Sequence, residues 1–182
     1  MKYCVVGAGS IGGFVGAKLA LAGEDVTLVA RGANLQAIRA HGMRVIMADG
    51  TERTAKELRT AATPAEAGPQ DVVVLATKAH QVAPLAGDIA ALCHESTLLI
   101  PMQNGIPWWY FQRHGGEFEG RVVTSVDPEG ALAAAIDPRR IVGCVVYPEC
   151  ERAAPGVVRH IEGDRFPLGE LDGAASVRAN AV

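Results

Sequence analysis

The chain has 182 residues, of which 49% are hydrophobic and 20% charged, and its formal net charge at pH 7 is −3. This length and apolar content predict one domain with a sizeable core and exclude a disordered chain. Only Arg139 and Arg140 are adjacent among the basic residues. The weakly acidic balance therefore argues against a general nucleic-acid binder or a protein of anionic membrane surfaces.

The four cysteines are too scattered to predict a bound metal. Cys4, Cys93, Cys144 and Cys150 form no C-x-x-C pair, and no histidines flank them at zinc-site spacing. We therefore expect four free thiols, a reducing cytoplasmic environment and no metal site. The first apolar run is interrupted at Gly7, so we expect neither a secretory signal nor a segment that spans a membrane.

The N-terminal segment predicts a strand–helix–strand–helix unit. Lys2–Val6 is a short apolar run, and Ser10–Ala22 has small and apolar residues at helical spacing before a terminating glycine. Asp25–Ala30 is β-branched and apolar, which predicts a second strand. Ala33–Ala40 has the composition of a second helix.

The middle of the chain predicts further alternation of strands and helices. Residues 43–62 suggest a hairpin that turns at Asp49–Gly50, followed by one helical turn at Ala65–Glu66. Beyond it we predict strands at Asp71–Ala76 and Thr97–Pro101, separated by a helix over Lys78–Leu92. Later strand candidates are Arg121–Val126, Arg140–Tyr147, Val157–Ile161 and Phe166–Gly169.

The strands of the N-terminal half are continuous apolar runs rather than alternating stripes. Such runs are typical of parallel sheets that helices cover on both faces. We therefore predict an α/β protein with a Rossmann-like, doubly wound and mostly parallel sheet. We assign residues 1–171 to this domain and residues 172–182 to the start of a connection.

The C-terminal segment, Ala174–Val182, has the composition of a helix that begins but has no closing cap. Two interpretations fit this ending. Either a short terminal helix frays there, or the chain is the N-terminal piece of a longer protein. The missing cap favours the second interpretation.

Gly7, Gly9 and Gly12 form a G-x-G-x-x-G pattern between the first strand and the first helix. In that context the first glycine permits a tight turn, the second lets the backbone approach a pyrophosphate, and the third lets the helix pack on the sheet. Bare N–H groups at the helix N-terminus then face the anion. The alternative is a turn that only packs. The predicted dinucleotide-binding residues are Gly7, Ala8, Gly9, Ser10, Ile11 and Gly12.

The end of the second strand indicates which dinucleotide is preferred. An NAD site usually has Asp or Glu there, to accept from the ribose 2′-hydroxyl. Here the strand is followed by Arg31, while Asp25 lies at its start. A guanidinium can bind a 2′-phosphate through charge-assisted hydrogen bonds, which favours NADP(H). The alternative is a solvated loop charge.

Two further strand ends carry polar side chains. Lys78 follows the strand "DVVVLA", and Asn104 follows "TLLIP" in the stretch "QNG". In an open parallel sheet the ligand lies across the carboxyl ends of the strands. A lysine and an asparagine at this edge suit a substrate with carbonyl and carboxylate oxygens.

These motifs together resemble the ketopantoate reductase (2-dehydropantoate 2-reductase) family over nearly the whole chain. The matching stretches are "GAGSIGG", Arg31, "LATKAHQV" with Lys78, "QNGI" with Asn104, and "PLGELDG". The resemblance implies NADPH-dependent reduction of a small 2-oxo acid, ketopantoate, to pantoate on the route to pantothenate and coenzyme A. It assigns both Lys78 and Asn104 to catalysis and to cofactor contact, and it leaves a homodimer open.

The resemblance also shows what the sequence lacks. The family's general-acid lysine lies on an all-helical C-terminal domain, which has no counterpart here. We therefore expect this chain alone to bind NADPH but to be inactive as a reductase. Trp108 and Trp109 are unusual beside a small polar substrate. They are either core residues or part of a pocket for something bulkier. A family member that reduces a bulkier ketone and a non-catalytic dinucleotide-binding module remain alternatives.

Overall fold

The computed structural model describes all 182 residues and begins with the predicted strand–helix repeat. The first strand, β1 (Lys2–Val6), is followed by α1 (Ser10–Leu21), β2 (Asp25–Val29) and α2 (Gly32–His41). Gly23 ends the first helical segment in the left-handed region, with φ of 92°. No helix in the chain combines the length and the apolar character needed to cross a bilayer.

Three more strands complete the main sheet: β5 (Arg59–Ala61), β6 (Gln70–Leu75) and β7 (Cys93–Pro101). The strand order is β5-β2-β1-β6-β7, and every neighbouring pair is parallel. The direction of strand addition reverses between β1 and β6, which is where a doubly wound sheet opens its ligand crevice. The predicted Rossmann-like fold class is confirmed, and no second, all-helical domain is present in these 182 residues.

Both faces of this sheet are buried, which explains the continuous apolar runs. Tyr3 and Val5 belong to the core on the α1 side, while Cys4 and Val6 belong to the core on the opposite side. Since side chains alternate across a strand, each run supplies two cores at once.

A second sheet of four strands lies on the other side of α1. It contains β3 (Met43–Ile46), β4 (Glu52–Ala55), β9 (Glu149–Ala154) and β10 (Val157–Glu162), in the order β4-β3-β10-β9. The predicted hairpin is present as the antiparallel pair β3 and β4. Its expected continuation, β5, leaves the hairpin and joins the main sheet beside β2.

Two glycines allow α1 to lie between the two sheets. A Cβ on Gly13 would lie 2.3 Å from the Met43 Cε in the second sheet. A Cβ on Gly16 would lie 2.3 Å from the Leu28 Cδ2 in the main sheet. The small residues in α1 therefore set how closely both sheets approach the helix.

The predicted helix over Lys78–Leu92 is only partly correct. Two 3-10 turns, Ala79–Gln81 and Ala83–Leu85, come first, and the α-helical part is α3 (Ala86–Ala91). Pro84 has no amide hydrogen, and its ring collides with the carbonyl four residues earlier in an α-helix. Regular helix therefore begins only after this proline.

The predicted strand at Arg121–Val126 is wrong, because this segment consists of loop and turn. It pairs with no sheet edge, and Val122 stays 40% exposed. The next residue, Asp127, is 2% exposed and accepts hydrogen bonds from the amides of Leu132 at 3.1 Å and Ala133 at 3.0 Å. It thereby fixes the start of a short helix, α4 (Ala131–Ala135), that we did not predict.

Two late strands, β8 (Val142–Cys144) and β11 (Leu168–Glu170), form an antiparallel pair and are shorter than predicted. Ile141 makes a parallel bridge to Leu99 in β7, so this pair continues the main sheet.

The C-terminal residues are tied to β11 by an ion pair. Ser176 caps the short α5 (Val177–Asn180) by accepting from the Ala179 amide at 3.1 Å, and its hydroxyl donates to Glu170 at 2.6 Å. Arg178 donates to both carboxylate oxygens of Glu170, through Nε at 2.6 Å and a terminal nitrogen at 2.5 Å. These bonds hold the segment after Glu170 against the domain.

Candidate dinucleotide site

The glycine-rich turn is fixed to the neighbouring strand and leaves three amides free. The amides of Gly7 and Ala8 donate to the Val29 carbonyl at 3.1 and 3.0 Å, which locks the turn to the end of β2. The first turn of a helix has no preceding carbonyls for its own amides. Accordingly, no protein acceptor receives a hydrogen bond from the N–H groups of Ser10, Ile11 and Gly12.

The three glycines of the turn differ in what surrounds them. A Cβ on Gly12 would lie 2.0 Å from the Gly7 carbonyl oxygen, and one on Gly7 would lie 2.7 Å from the Thr77 Cγ2. Gly7 also has a φ of 103°, a conformation that residues with a side chain rarely adopt. A Cβ on Gly9 would meet nothing within 4 Å, so this glycine borders open space.

The open space is a cleft of about 640 Å³ at the carboxyl ends of β1 and β2. Gly7, Ala8 and Gly9 line one part of it, and Arg31 lines another. An apolar wall comes from Pro64, Pro84 and Leu85. The cleft combines unsatisfied amides, a guanidinium and apolar surface, which are the features that a phosphorylated nucleotide needs.

A buried hydroxyl beside the turn also lacks a partner. Thr77 lines the cleft directly after β6, and its Oγ1 has no hydrogen-bond partner. Buried hydroxyls normally find partners in proteins. This orphaned oxygen and the three free amides fit a group that brings its own donors and acceptors, as a dinucleotide does.

The cleft contains a second arginine that sequence reasoning missed. Arg31 follows β2 and is exposed, and Arg152 reaches the same cleft from β9 in the second sheet. None of the eight ion pairs in the molecule uses either residue. No motif in the sequence connects Arg152 with the glycine turn, because only the packing of the second sheet brings it there.

Lys78 and Asn104 lie on neighbouring loops outside this cleft. Lys78 is exposed at the end of β6, and its amide donates to Gln81 at 3.3 Å. Asn104 follows β7, where its side-chain amide donates to the Val146 carbonyl at 3.0 Å and accepts from the Val146 amide at 3.1 Å. Neither side chain lines the 640 Å³ cleft.

Gln103 links these two loops. Its Nε2 donates to the carbonyls of Leu75 at 2.8 Å and Thr77 at 3.1 Å. The loop after β7 is therefore fastened to the loop after β6, which places the Lys78 and Asn104 segments side by side. The sequence motif singled out Gln103 as a neighbour of Asn104 but did not indicate this bracing function.

The two tryptophans lie away from the cleft. Trp108 is 5% exposed and belongs to the core on the α3 face of the sheet. Trp109 is partly buried and packs against the same core. A Cβ on Gly143 would come within 3.2 Å of the Trp109 ring. Of the two alternatives, the core assignment is correct for Trp108.

The comparisons with known proteins agree with this architecture. The family profile described as "Ketopantoate reductase PanE/ApbA" matches residues 3–173. A 2-dehydropantoate 2-reductase from Mesorhizobium japonicum is 51% identical over the whole chain, and one from Pyrococcus horikoshii is 36% identical over 72% of it. A solved candidate ketopantoate reductase from Ralstonia solanacearum superposes with a TM-score of 0.91 at 43% identity over 98% of the chain.

In each case the chain covers only part of the relative. It spans 56% of the Mesorhizobium protein, 41% of the Pyrococcus protein and 55% of the Ralstonia chain. Because the profile extends over nearly all of its residues, the chain belongs to the ketopantoate reductase family.

Proposed function

We propose that this chain is the NADPH-binding half of a reductase that converts a 2-oxo acid, 2-dehydropantoate, to its 2-hydroxy acid, pantoate. The observation that carries the proposal is the row of unsatisfied amides at Ser10–Gly12 beside a cleft that also holds Arg31. Relatives named 2-dehydropantoate 2-reductase support the choice of substrate. The reaction would serve pantothenate and coenzyme A synthesis in the cytoplasm.

In this proposal the glycine turn binds the diphosphate. The amides of Ser10, Ile11 and Gly12 donate to its oxygens, and the dipole of α1 adds to the attraction. Gly9 lets the backbone come close, since its missing side chain leaves the approach open. Arg31 binds the ribose 2′-phosphate, and no carboxylate follows β2 to disfavour that charge.

The polar residues after β6 and β7 are proposed to serve both nicotinamide and substrate. NADPH, when bound, supplies the hydride that reduces the substrate ketone. Lys78 offers an ammonium group for the substrate carboxylate or the oxygen that gains negative charge. Asn104 orients the substrate and the cofactor with its amide, which is now bonded to Val146.

The proton for the new hydroxyl has no donor in this proposal. Reduction of a ketone leaves an alkoxide that must be protonated, and the resemblance places the general acid outside these 182 residues. We therefore propose that residues 1–171 form the NADPH-binding domain, that residues 172–182 begin the connection to a helical substrate domain, and that the whole protein acts as a homodimer. The 182-residue chain alone binds NADPH without turnover.

The second candidate, a reductase of a bulkier ketone, has less support. It was suggested by Trp108 and Trp109, but Trp108 is 5% exposed and belongs to the core, so it offers little surface to a substrate. A non-catalytic dinucleotide-binding module remains as the alternative from a different class, and turnover by the full-length protein would exclude it.

Two measurements test the proposed function. Titration of the chain with NADPH and NADH should give clearly tighter binding of NADPH, and equal or reversed affinities would contradict the assignment of Arg31. Assays of the full-length protein against a panel of 2-oxo acids should show 2-dehydropantoate as the best substrate, with no NADPH oxidation by the 182-residue chain. Preference for a bulkier aromatic 2-oxo acid would favour the second candidate.

A further inference from the structure

We propose that Arg152 is a specificity-determining residue, which together with Arg31 forms a two-guanidinium clamp on the phosphate of the adenosine ribose. The inference rests on the proposed NADPH function and adds a residue to it. The clamp joins two sheets, because Arg31 follows β2 of the main sheet and Arg152 lies on β9 of the second sheet.

The first support is location. Arg31 and Arg152 both line the 640 Å³ cleft that begins at the glycine turn. Both also line an adjoining pocket of about 430 Å³, together with Ala33 and Asn34 at the start of α2. The two arginines are the only residues with charged side chains in that second pocket. It therefore offers an anion two guanidinium groups and no competing carboxylate.

The second support is that no protein carboxylate uses Arg152. Glu151 precedes it in β9 but points to the other face of the strand, where it pairs with Arg159 at 2.9 Å. The wider cleft contains one acidic residue, Asp88 of α3, and this residue forms no ion pair with either arginine. Two unpaired like charges beside one cleft repel each other, and a bound dianion would relieve that repulsion.

The third support is a rigid connection between the two sheets at this point. The Asn34 Nδ2 donates to the Ala8 carbonyl at 2.7 Å, and its Oδ1 accepts from the Gly156 amide at 2.8 Å. Gly156 lies in the turn that ends β9. The strand that carries Arg152 is thereby fastened to the glycine turn, so a ligand held by that turn meets Arg152 at a fixed place.

The clamp predicts an effect on NADPH alone. NADH has the same diphosphate but no phosphate on the adenosine ribose, so it would contact neither guanidinium through that group. If Arg152 acted only through its general positive field, it would strengthen the binding of both cofactors, since the diphosphate is also anionic. Added salt would screen that field. Comparing the two cofactors separates a direct contact from a field.

The test uses the full-length protein with Arg152→Ala, Arg152→Lys and Arg31→Ala, and the double variant. Dissociation constants are measured for NADPH and NADH, and for 2′,5′-ADP and 5′-AMP as probes with and without the phosphate in question. Arg53→Ala is the matched control, because Arg53 is exposed on β4 of the same sheet and forms no ion pair. Thermal unfolding of each variant checks its folding.

We expect Arg152→Ala to raise the dissociation constants of NADPH and 2′,5′-ADP about 10-fold or more, as loss of a charge-assisted hydrogen bond does. The dissociation constants of NADH and 5′-AMP should change less than about 2-fold. The lysine variant should recover part of the affinity, and Arg53→Ala should change none. Unchanged NADPH affinity in Arg152→Ala beside a large loss in Arg31→Ala overturns the clamp and leaves the proposed function intact. Equal weakening of both cofactors also overturns it. Failure of the wild-type protein to prefer NADPH contradicts the assignment of Arg31 in the proposed function, and failure to bind either cofactor overturns the proposed function itself.

Discussion

Asn34 joins the glycine turn to the second sheet through two hydrogen bonds, one donated to the Ala8 carbonyl at 2.7 Å and one accepted from the Gly156 amide at 2.8 Å. Both partners are backbone groups, so the asparagine fixes main-chain positions rather than another side chain. One residue of α2 therefore sets how the turn after β1 lies against the turn between β9 and β10.

Replacing Asn34 should loosen this junction. Asn34→Ala removes both bonds and leaves two backbone groups to find other partners, which should lower the free energy of unfolding by about 1–3 kcal/mol. NADPH binding should weaken as well, because the glycine turn loses a constraint. Denaturant titration and cofactor titration measure the two effects. A variant with unchanged stability would contradict the bracing role, and Asn180→Ala serves as the control because its side chain forms no hydrogen bond.

Two glycines of the same turn should respond to alanine in opposite ways. In Gly12→Ala the new Cβ meets the Gly7 carbonyl oxygen at 2.0 Å, so backbone must move. We expect a loss of stability of about 1–3 kcal/mol, as overpacking produces. In Gly9→Ala the Cβ projects into open space, so the melting temperature should stay near that of the parent chain.

Gly9→Ala should nevertheless lose dinucleotide affinity, because its methyl group would occupy the space through which we propose that the diphosphate approaches. Differential scanning fluorimetry with and without NADPH separates the two variants. If Gly9→Ala bound NADPH as tightly as the parent chain, the diphosphate would not lie against this turn.

Arg31 should affect one cofactor and not the other. Arg31→Ala should weaken the binding of NADPH by about 1.5–3 kcal/mol, the scale of a hydrogen bond to a charged group. The binding of NADH should stay nearly unchanged. Isothermal titration calorimetry at constant salt gives both values. Arg59→Ala is a poor control because Arg59 pairs with Asp25, whereas Arg53 forms no ion pair and does not line the cleft, so Arg53→Ala is the control. Equal loss for both cofactors would contradict a contact with the 2′-phosphate.

The ion pair at the C-terminal segment should make stability depend on acidic pH. Hydrogen bonds from Arg178 lower the pKa of Glu170 from its ordinary value of 4.5 to about 2. Because the folded pKa lies below the unfolded one, the stabilisation is fully present above about pH 4.5 and is lost as pH falls towards 2. When Glu170 is protonated, the folded state loses the stabilisation that comes from its ion pair with Arg178.

Glu170→Gln removes this particular titration. The wild-type chain should be more stable than the variant at pH 6, and the difference should shrink steadily between about pH 4.5 and pH 2. Denaturant unfolding at several pH values measures it, with Glu57→Gln as a control because Glu57 is exposed and forms no ion pair. A pH-independent difference would show that the pair contributes nothing through the charge of Glu170.

The sequence by itself determined the local units and their order. The run Lys2–Val6, the glycine pattern and the helix from Ser10 each depend on neighbours within a few residues, and all three are present as predicted. The parallel sheet also followed from the sequence, because strands buried on both faces must be apolar at every position. The position of Arg31 at the carboxyl end of β2 could also be predicted, because the apolar run before it is recognisable as a strand.

Only the tertiary structure decided what the second sheet contributes. Most residues of β9 are exposed, so its sequence has no apolar pattern that predicts a strand. The strand forms because its backbone pairs with β10. The same pairing carries Arg152 to the cleft, and the parallel contact between β3 and β10 joins segments far apart along the chain. Local sequence determines which residues can form a strand or turn, but the choice of partner strand depends on which edges remain free once the core has packed.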